Sequence, residues 1–207
     1  MLAADPIERP LSDELLAERA RQGSRGAFVA LVSRYERRVF RLARRMSRND
    51  ADAEEITQET FLRCFRSLDS FHGDSRFGTW LYRVAMNEAL MRLRAERRRP
   101  TQSLEGVQAL AGDPSADDLV DDKRLLERVR EALGRIDEAR RAALVLRDLE
   151  ELSAEEAGEI LGVSPETVRQ RAHRARLELC ASLADVMSAH SPRGGRGAGN
   201  ATLRAVP

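Results

Sequence analysis

Leu152-Ser153-Ala154-Glu155-Glu156-Ala157-Gly158-Glu159-Ile160-Leu161-Gly162-Val163-Ser164-Pro165-Glu166-Thr167-Val168-Arg169-Gln170-Arg171-Ala172-His173-Arg174-Ala175-Arg176 is the stretch whose reading decides the fold. Ser153 followed by Glu156 has the form of a capping box, with each side chain able to satisfy the other residue's amide. Ala157, Ile160 and Leu161 supply an apolar face over two turns. Gly162 stands where a helix end takes a left-handed residue. Val163 can plug the corner. Ser164 is a good N-cap, and Pro165 is pre-set for the first helical position. A short helix, a glycine turn and a capped second helix make the plan of a helix-turn-helix.

The second helix carries the chemistry. Val168, Ala172, Ala175 and Leu179 form a narrow inner stripe of spacing four, three and four. The outer face holds Thr167, Arg169, Gln170, Arg171, His173, Arg174 and Arg176. Arginine reads guanine bidentately and glutamine reads adenine, while further arginines take phosphates. Four arginines within eight residues directly after a capped turn point to a helix that enters a major groove rather than to an ordinary solvated face.

The rest of the chain reads as helical on both sides of a break. No proline occurs between Pro10 and Pro100, which permits long helices. Ser12-Asp13-Glu14 can open the first helix, and Gly23 and Gly26 break it. Phe28, Leu31, Val32, Tyr35, Val39, Phe40 and Leu42 mark the apolar face of a second, running to about Met46. Asn49 or Asp50 can cap a third, with Ile56, Phe61, Leu62, Phe65 and Leu68 as its apolar set. A loop rich in Gly, Ser and Asp covers Asp69 to Gly78. A fourth helix starts near Thr79, carries Trp80, Leu81, Val84, Ala85, Leu90 and Leu93, and stops at Pro100. Residues 100–122 hold six acids and no base and read as an extended linker. Helices resume near Lys123, with Leu125, Leu126, Val129 and Leu133 in one and Ala142, Ala143, Leu144, Leu146 and Leu149 in another. Beyond Ser188, the run Ser191-Pro192-Arg193-Gly194-Gly195 predicts a disordered tail.

The expected architecture is therefore all-α: two small helical domains over 11–99 and 123–188, an acidic linker over 100–122 and a tail over 189–207. Whole-chain charge is near neutral, at +1, and decides nothing. Its distribution is informative: residues 1–99 carry 20 arginines against 15 acids, and 123–207 carry 15 bases against 13 acids. Cys64 and Cys180 stand alone in helical patterns and read as small core residues. His72, His173 and His190 are scattered, so no metal site or cofactor is indicated. No clustered nucleophile and base supports an enzyme. No apolar run approaches membrane-spanning length, the first ten residues lack a signal-peptide pattern, and the expected location is cytoplasmic.

Both blocks resemble one family. The run from Leu144-Val145-Leu146-Arg147-Asp148 through Arg176 is similar to region 4 of a bacterial sigma factor. Ala53-Glu54-Glu55-Ile56-Thr57-Gln58-Glu59-Thr60-Phe61 and Phe71-His72-Gly73-Asp74-Ser75-Arg76-Phe77-Gly78-Thr79-Trp80-Leu81-Tyr82-Arg83-Val84-Ala85-Met86-Asn87 resemble region 2. The ordered pair, joined by a short linker, resembles the extracytoplasmic-function (ECF) subgroup of the sigma-70 family over roughly residues 11–185. The resemblance implies a non-catalytic protein that binds core RNA polymerase, at the β′ clamp and the β flap, together with promoter DNA and an anti-sigma factor. It implies −35 contacts from the arginine-studded helix and −10 contacts from Phe71, Trp80 and Asn87. Arg76, Arg83 and the arginines from Arg92 to Arg99 are candidate phosphate contacts, and Gln58, Glu59 and Arg66 are candidate contacts to the clamp.

Physics makes the −10 assignment sensible, since a base taken from the stack must be held by a pocket and by stacking. Trp80, Arg83 and Asn87 share one helix face. Core packing competes with a DNA role for Trp80, and a bond to neighbouring backbone competes for Asn87. A dimeric helix-turn-helix activator or repressor is the alternative, and the Phe71–Asn87 block counts against it, because a duplex-only binder needs no base-trapping loop. Two departures from the family pattern stand out. Ala157-Gly158 replaces a larger aliphatic residue followed by alanine, and a helical glycine costs up to ~1 kcal/mol, predicting a less rigid first helix. Ala172 is smaller than the usual aliphatic residue, predicting closer or looser seating of the second helix.

Overall fold

A computed structural model describes residues 11–98 and 127–190. The linker and tail assigned from the sequence therefore lie outside the described residues, apart from 189 and 190. The described chain is helical throughout, in two blocks.

In the first block, α1 (Asp13–Arg21) and α2 (Arg25–Met46) are capped by Ser12 and Ser24, whose hydroxyls accept from Leu15 and Ala27 amides. Asp13 then fastens α1 to α2: its carboxylate accepts from Arg34 at 2.6 Å and from the Tyr35 hydroxyl at 2.5 Å. Burial and this carboxylate hold the Tyr35 phenol well above its ordinary range. The buried face of α2 keeps Leu31, Tyr35, Val39 and Leu42 of the expected set and adds Ala27, Ala43 and Met46, while Phe28, Val32 and Phe40 are half-buried.

Helix α3 (Asp50–Arg66) is capped by Asn49, which accepts from the Asp52 amide. Its buried face differs from the expected one. Leu62 and Phe65 are 50% and 56% exposed, whereas Ala53, Ile56, Thr57, Thr60 and Cys64 are buried. The two threonines reach the interior because each hydroxyl donates to the carbonyl four residues back, Ala53 and Ile56, at 2.7 Å. A satisfied hydroxyl is no longer costly to bury, and small side chains let α2 and α4 approach α3. Cys64 is a core residue, its thiol pushed up to about 12 by burial, but Cys180 faces outward, contrary to expectation.

A 3-10 turn over Leu68–Ser70 leads to α4 (Phe77–Arg98), which begins two residues earlier than the sequence predicts. Phe77 drives that start: it is 1% exposed and meets Tyr35, Phe71 and Trp80 edge-on or tilted, with centroids 5.5–5.7 Å apart. Gly78 keeps the contact close, since a Cβ there would lie 3.1 Å from the Tyr35 hydroxyl.

The second block opens with α5, a helix visible over 127–135, and α6 (Glu138–Leu144), capped by Asp137. One π-helical turn, Val145–Leu149, follows, with the Glu150 amide bonded to the Val145 carbonyl. Then come α7 (Ala154–Leu161) and α8 (Pro165–His190). The capping box of Ser153 and Glu156 is present, and Gly162 is left-handed at φ 66. Gly158 resolves the first departure noted above. A Cβ at that position would lie 2.7 Å from the Val163 carbonyl oxygen, so the glycine admits the turn against α7. Ala172 is 1% exposed and belongs to the core.

The two blocks touch. One hydrophobic cluster runs from Leu16 and Leu31 through Leu81 and Met86 to Val145, Leu146, Ile160 and Val168. Helix α7 packs on α4, and Arg97 pairs with Glu138 at 2.9 Å.

Replacing Gly158 with alanine is expected to lower stability by about 1–3 kcal/mol, because overpacking against backbone outweighs alanine's better helix propensity. Urea denaturation followed by circular dichroism checks this; an unchanged or raised midpoint contradicts the steric account.

Candidate nucleic-acid interface

The outer face of α8 is presented by the corner that precedes it. The Ser164 hydroxyl accepts from the Thr167 amide at 3.2 Å and lies 2.8 Å from the Thr167 hydroxyl, so Thr167 is tied into the cap. Arg169, Gln170, His173, Arg174 and Arg176 are exposed, and Arg171 is half-buried. The face is divided by its carboxylates. Arg169 reaches Glu155 at 3.0 Å and Glu166 at 3.2 Å, and Gln170 donates to Glu166 at 3.2 Å. Arg176 makes a two-pronged pair with Asp148, at 2.6 and 2.7 Å; that carboxylate raises the Arg176 pKa. Arg171, His173 and Arg174 have no carboxylate partner among the described residues. Arg169 and Arg176 would have to exchange a carboxylate to take a new partner, whereas these three would not.

On the first block, α4 sets out a second exposed face. Arg83 and Asn87, one turn apart, are both exposed. Trp80 is half-buried, its ring tilted against Phe71 and Phe77 at 5.6 and 5.7 Å. One side of the indole therefore serves packing while the rest stays reachable. Phe71, assigned from the resemblance as a base contact, is only 9% exposed and braces the loop from beneath. Arg76 is exposed on the loop. A cleft between α1 and this loop is lined by Glu14, Ala17, Glu18, Arg21, Phe71, His72 and Gly73.

Of the arginines from 92 to 99, Arg92 is committed internally: it joins α4 to α3 through Asp52 at 2.7 Å and Glu55 at 2.5 Å. Arg97 is drawn to Glu138, Arg94 is exposed, and Arg99 lies outside the described residues. Gln58 and Arg66 are exposed on α3, and Glu59 is half-buried. Leu62 and Phe65 share their side of the helix, an apolar feature that a search for a buried face conceals. No group of three His, Cys, Asp or Glu among the described residues could hold a metal, and none of the described helices is long and apolar enough to cross a membrane.

Comparison with known proteins fits this geometry. Residues 31–99 match the family model described as Sigma-70 region 2, and residues 126–179 match that of Sigma-70, region 4. The ECF RNA polymerase sigma-E factor of Escherichia coli (strain K12) is 38% identical over 179 residues, spanning 82% of this chain and 93% of that one. The RNA polymerase sigma-H factor of Pseudomonas aeruginosa is 35% identical over 173 residues, spanning 79% and 90%. Among solved structures, CnrH in complex with the cytosolic domain of CnrY superposes with a TM-score of 0.64 at 28% identity, covering 86% of this chain and 99% of CnrH. The sigma factor RpoE of Bartonella quintana, solved with the anti-sigma factor NepR, shares the fold at a TM-score of 0.60 and 24% identity, covering 76% and 96%. Two helical blocks, each matching its own sigma region in the right order, and relatives at 35–38% identity over most of both chains place the chain in the sigma-70 family as an ECF sigma factor, a non-enzymatic protein that directs transcription initiation.

Proposed function

We propose that α8 reads the −35 element and α4, with the loop before it, the −10 element. The observation that carries this reading is the pair of separate exposed faces: His173 and Arg174, with half-buried Arg171 beside them, beyond a capped turn, and Arg83 with Asn87 beside Trp80. An α-helix fits the major groove of duplex DNA, where arginine distinguishes guanine. An asparagine next to an accessible indole suits an unstacked base, which the aromatic ring can cover and the amide can bond at its edge. The cleft beside Phe71 and Gly73 gives such a base a place to go. Phe71 supports this site by bracing Trp80, and Arg76, Arg83 and Arg94 take phosphates.

The assignment makes residues 11–99 the −10 and polymerase-binding domain, 100–122 the connector and 123–188 the −35 domain. Exposed Leu62 and Phe65, rimmed by Gln58, Glu59 and Arg66, supply an apolar centre with a polar edge, the composition of a protein interface; the β′ clamp is assigned to it and the β flap to the second block. An anti-sigma partner follows from membership in the subgroup. The chain works in the cytoplasm, where polymerase and template meet.

Mixed with core polymerase, the full chain is expected to give transcripts from a subset of promoters of its cognate genome; run-off transcription that yields none rejects the reading. Asn87→Ala should reduce permanganate reactivity of the −10 segment at least about tenfold, the worth of one good base contact, while leaving polymerase binding intact. Equal loss of both assigns Asn87 to folding. Arg174→Ala should weaken −35 duplex binding by about 1–3 kcal/mol and relax preference at one position, whereas a uniform loss at every sequence marks a phosphate contact.

A further inference from the structure

The contact between the two blocks contains a carboxylate in an unusual place. Glu150 lies just past the π-helical turn of the second block, and its side chain is 5% exposed. The carboxylate accepts from the Arg45 guanidinium on α2 and, at 3.1 Å, from the Tyr82 hydroxyl on α4. Arg45 also donates to the Leu149 carbonyl at 3.1 Å. A guanidinium and a phenolic hydroxyl converging on one oxyanion form a donor set that suits a phosphate as well as a carboxylate.

The surroundings extend the resemblance to an anion site. Arg38 and Arg41, exposed on α2, are close enough to the Tyr82 hydroxyl to counter the rise that burial and Glu150 impose on its pKa, which stands at about 12. Neither is paired with a carboxylate among the described residues. Glu151, next to Glu150, takes a left-handed φ of 56 where the helical turn ends, and the Leu152 amide closes that end by donating to the Leu146 carbonyl at 3.0 Å.

We infer that Arg45 and Tyr82, flanked by Arg38 and Arg41, form a phosphodiester-binding site on the first block, which Glu150 of the second block fills while the two blocks are packed together. DNA strand and Glu150 then compete for the same donors. Arrival of a backbone phosphate at Arg45 releases the Leu149–Glu151 loop, and separation of the blocks uncovers the site. This rests on the reading of the first block as a DNA binder, and it adds to the contacts of that reading a site on α2, away from the Trp80–Asn87 face.

The test uses the full chain and a fluorescein-labelled single-stranded promoter oligonucleotide, with anisotropy titrations over a range of salt. Glu150→Ala and the volume-conserving Glu150→Gln are each expected to tighten binding by about tenfold, as a competitor is removed and the competent state gains population. Arg45→Ala combined with Glu150→Ala should lose that gain and lower the salt slope by about one, the share of a single phosphate contact. Tyr82→Phe alone should loosen the Glu150 contact while Arg45 still binds, giving a smaller gain. Unchanged binding in both Glu150 variants overturns the proposal. So does a gain that survives loss of Arg45 with its salt slope intact, which makes Glu150 a tie between blocks and nothing more. Promoter-specific transcription by the wild-type chain with core polymerase separates either failure from failure of the sigma assignment itself.

Discussion

The Val163 carbonyl oxygen lies 2.7 Å from the place a Cβ of residue 158 would occupy, and the second block depends on that approach. It brings the turn down onto α7, so that Val168 and Ala172 at the start of α8 fall into the core. Once those two positions are buried, helical geometry turns His173 and Arg174 outward. A larger residue at 158 would lift the corner and rotate the outer face of α8. Glycine's intrinsic helix penalty is the smaller effect, because the capping box at one end of α7 and the left-handed Gly162 at the other already define the helix.

A comparable constraint governs the first block, met by aromatic rings rather than by a missing side chain. Phe77 sits between Tyr35, Phe71 and Trp80. Burying one phenylalanine contributes roughly 1.5–3 kcal/mol, and here it also fixes where α4 begins. That origin sets the phase of Arg83 and Asn87. The loop before α4 can stay polar and glycine-containing at its surface because its anchoring is done underneath by Phe71.

The parts of this molecule that were legible in the sequence are those governed by local rules. Caps at Ser12, Asn49, Ser153 and Ser164, the left-handed Gly162 and much of the apolar spacing of α2 depend on neighbours within a few residues. Helix α3 misled because threonine counts as polar until its hydroxyl is seen bonded to the preceding turn, while Leu62 and Phe65 count as core until packing leaves half of each exposed, Phe65 even with Phe28 against its ring. Gly158 looked like a weakness because the opposing carbonyl belongs to another element. The roles of Arg92 and Arg176 were hidden for the same reason: composition says that a charge is present, and only packing says that Asp52 or Asp148 holds it. The Arg45–Glu150 contact, 105 residues apart in the chain, lies beyond any local rule.

Those internal pairs bear on how a nearly neutral chain can bind a polyanion. Had all its arginines been free, the protein would hold any DNA it met through counterion release, with no preference among sequences. Carboxylates at Glu155, Glu166 and Asp148 instead occupy part of the α8 face, and a phosphate must displace them. At the exposed pairs the exchange costs little, since surface ion pairs are worth about 0–1 kcal/mol. Displacing several at once is favourable only where bases add bonds of their own. The intramolecular acids therefore lower non-specific affinity more than specific affinity. That difference, rather than net charge, is what a promoter reader needs in order to leave the wrong sites.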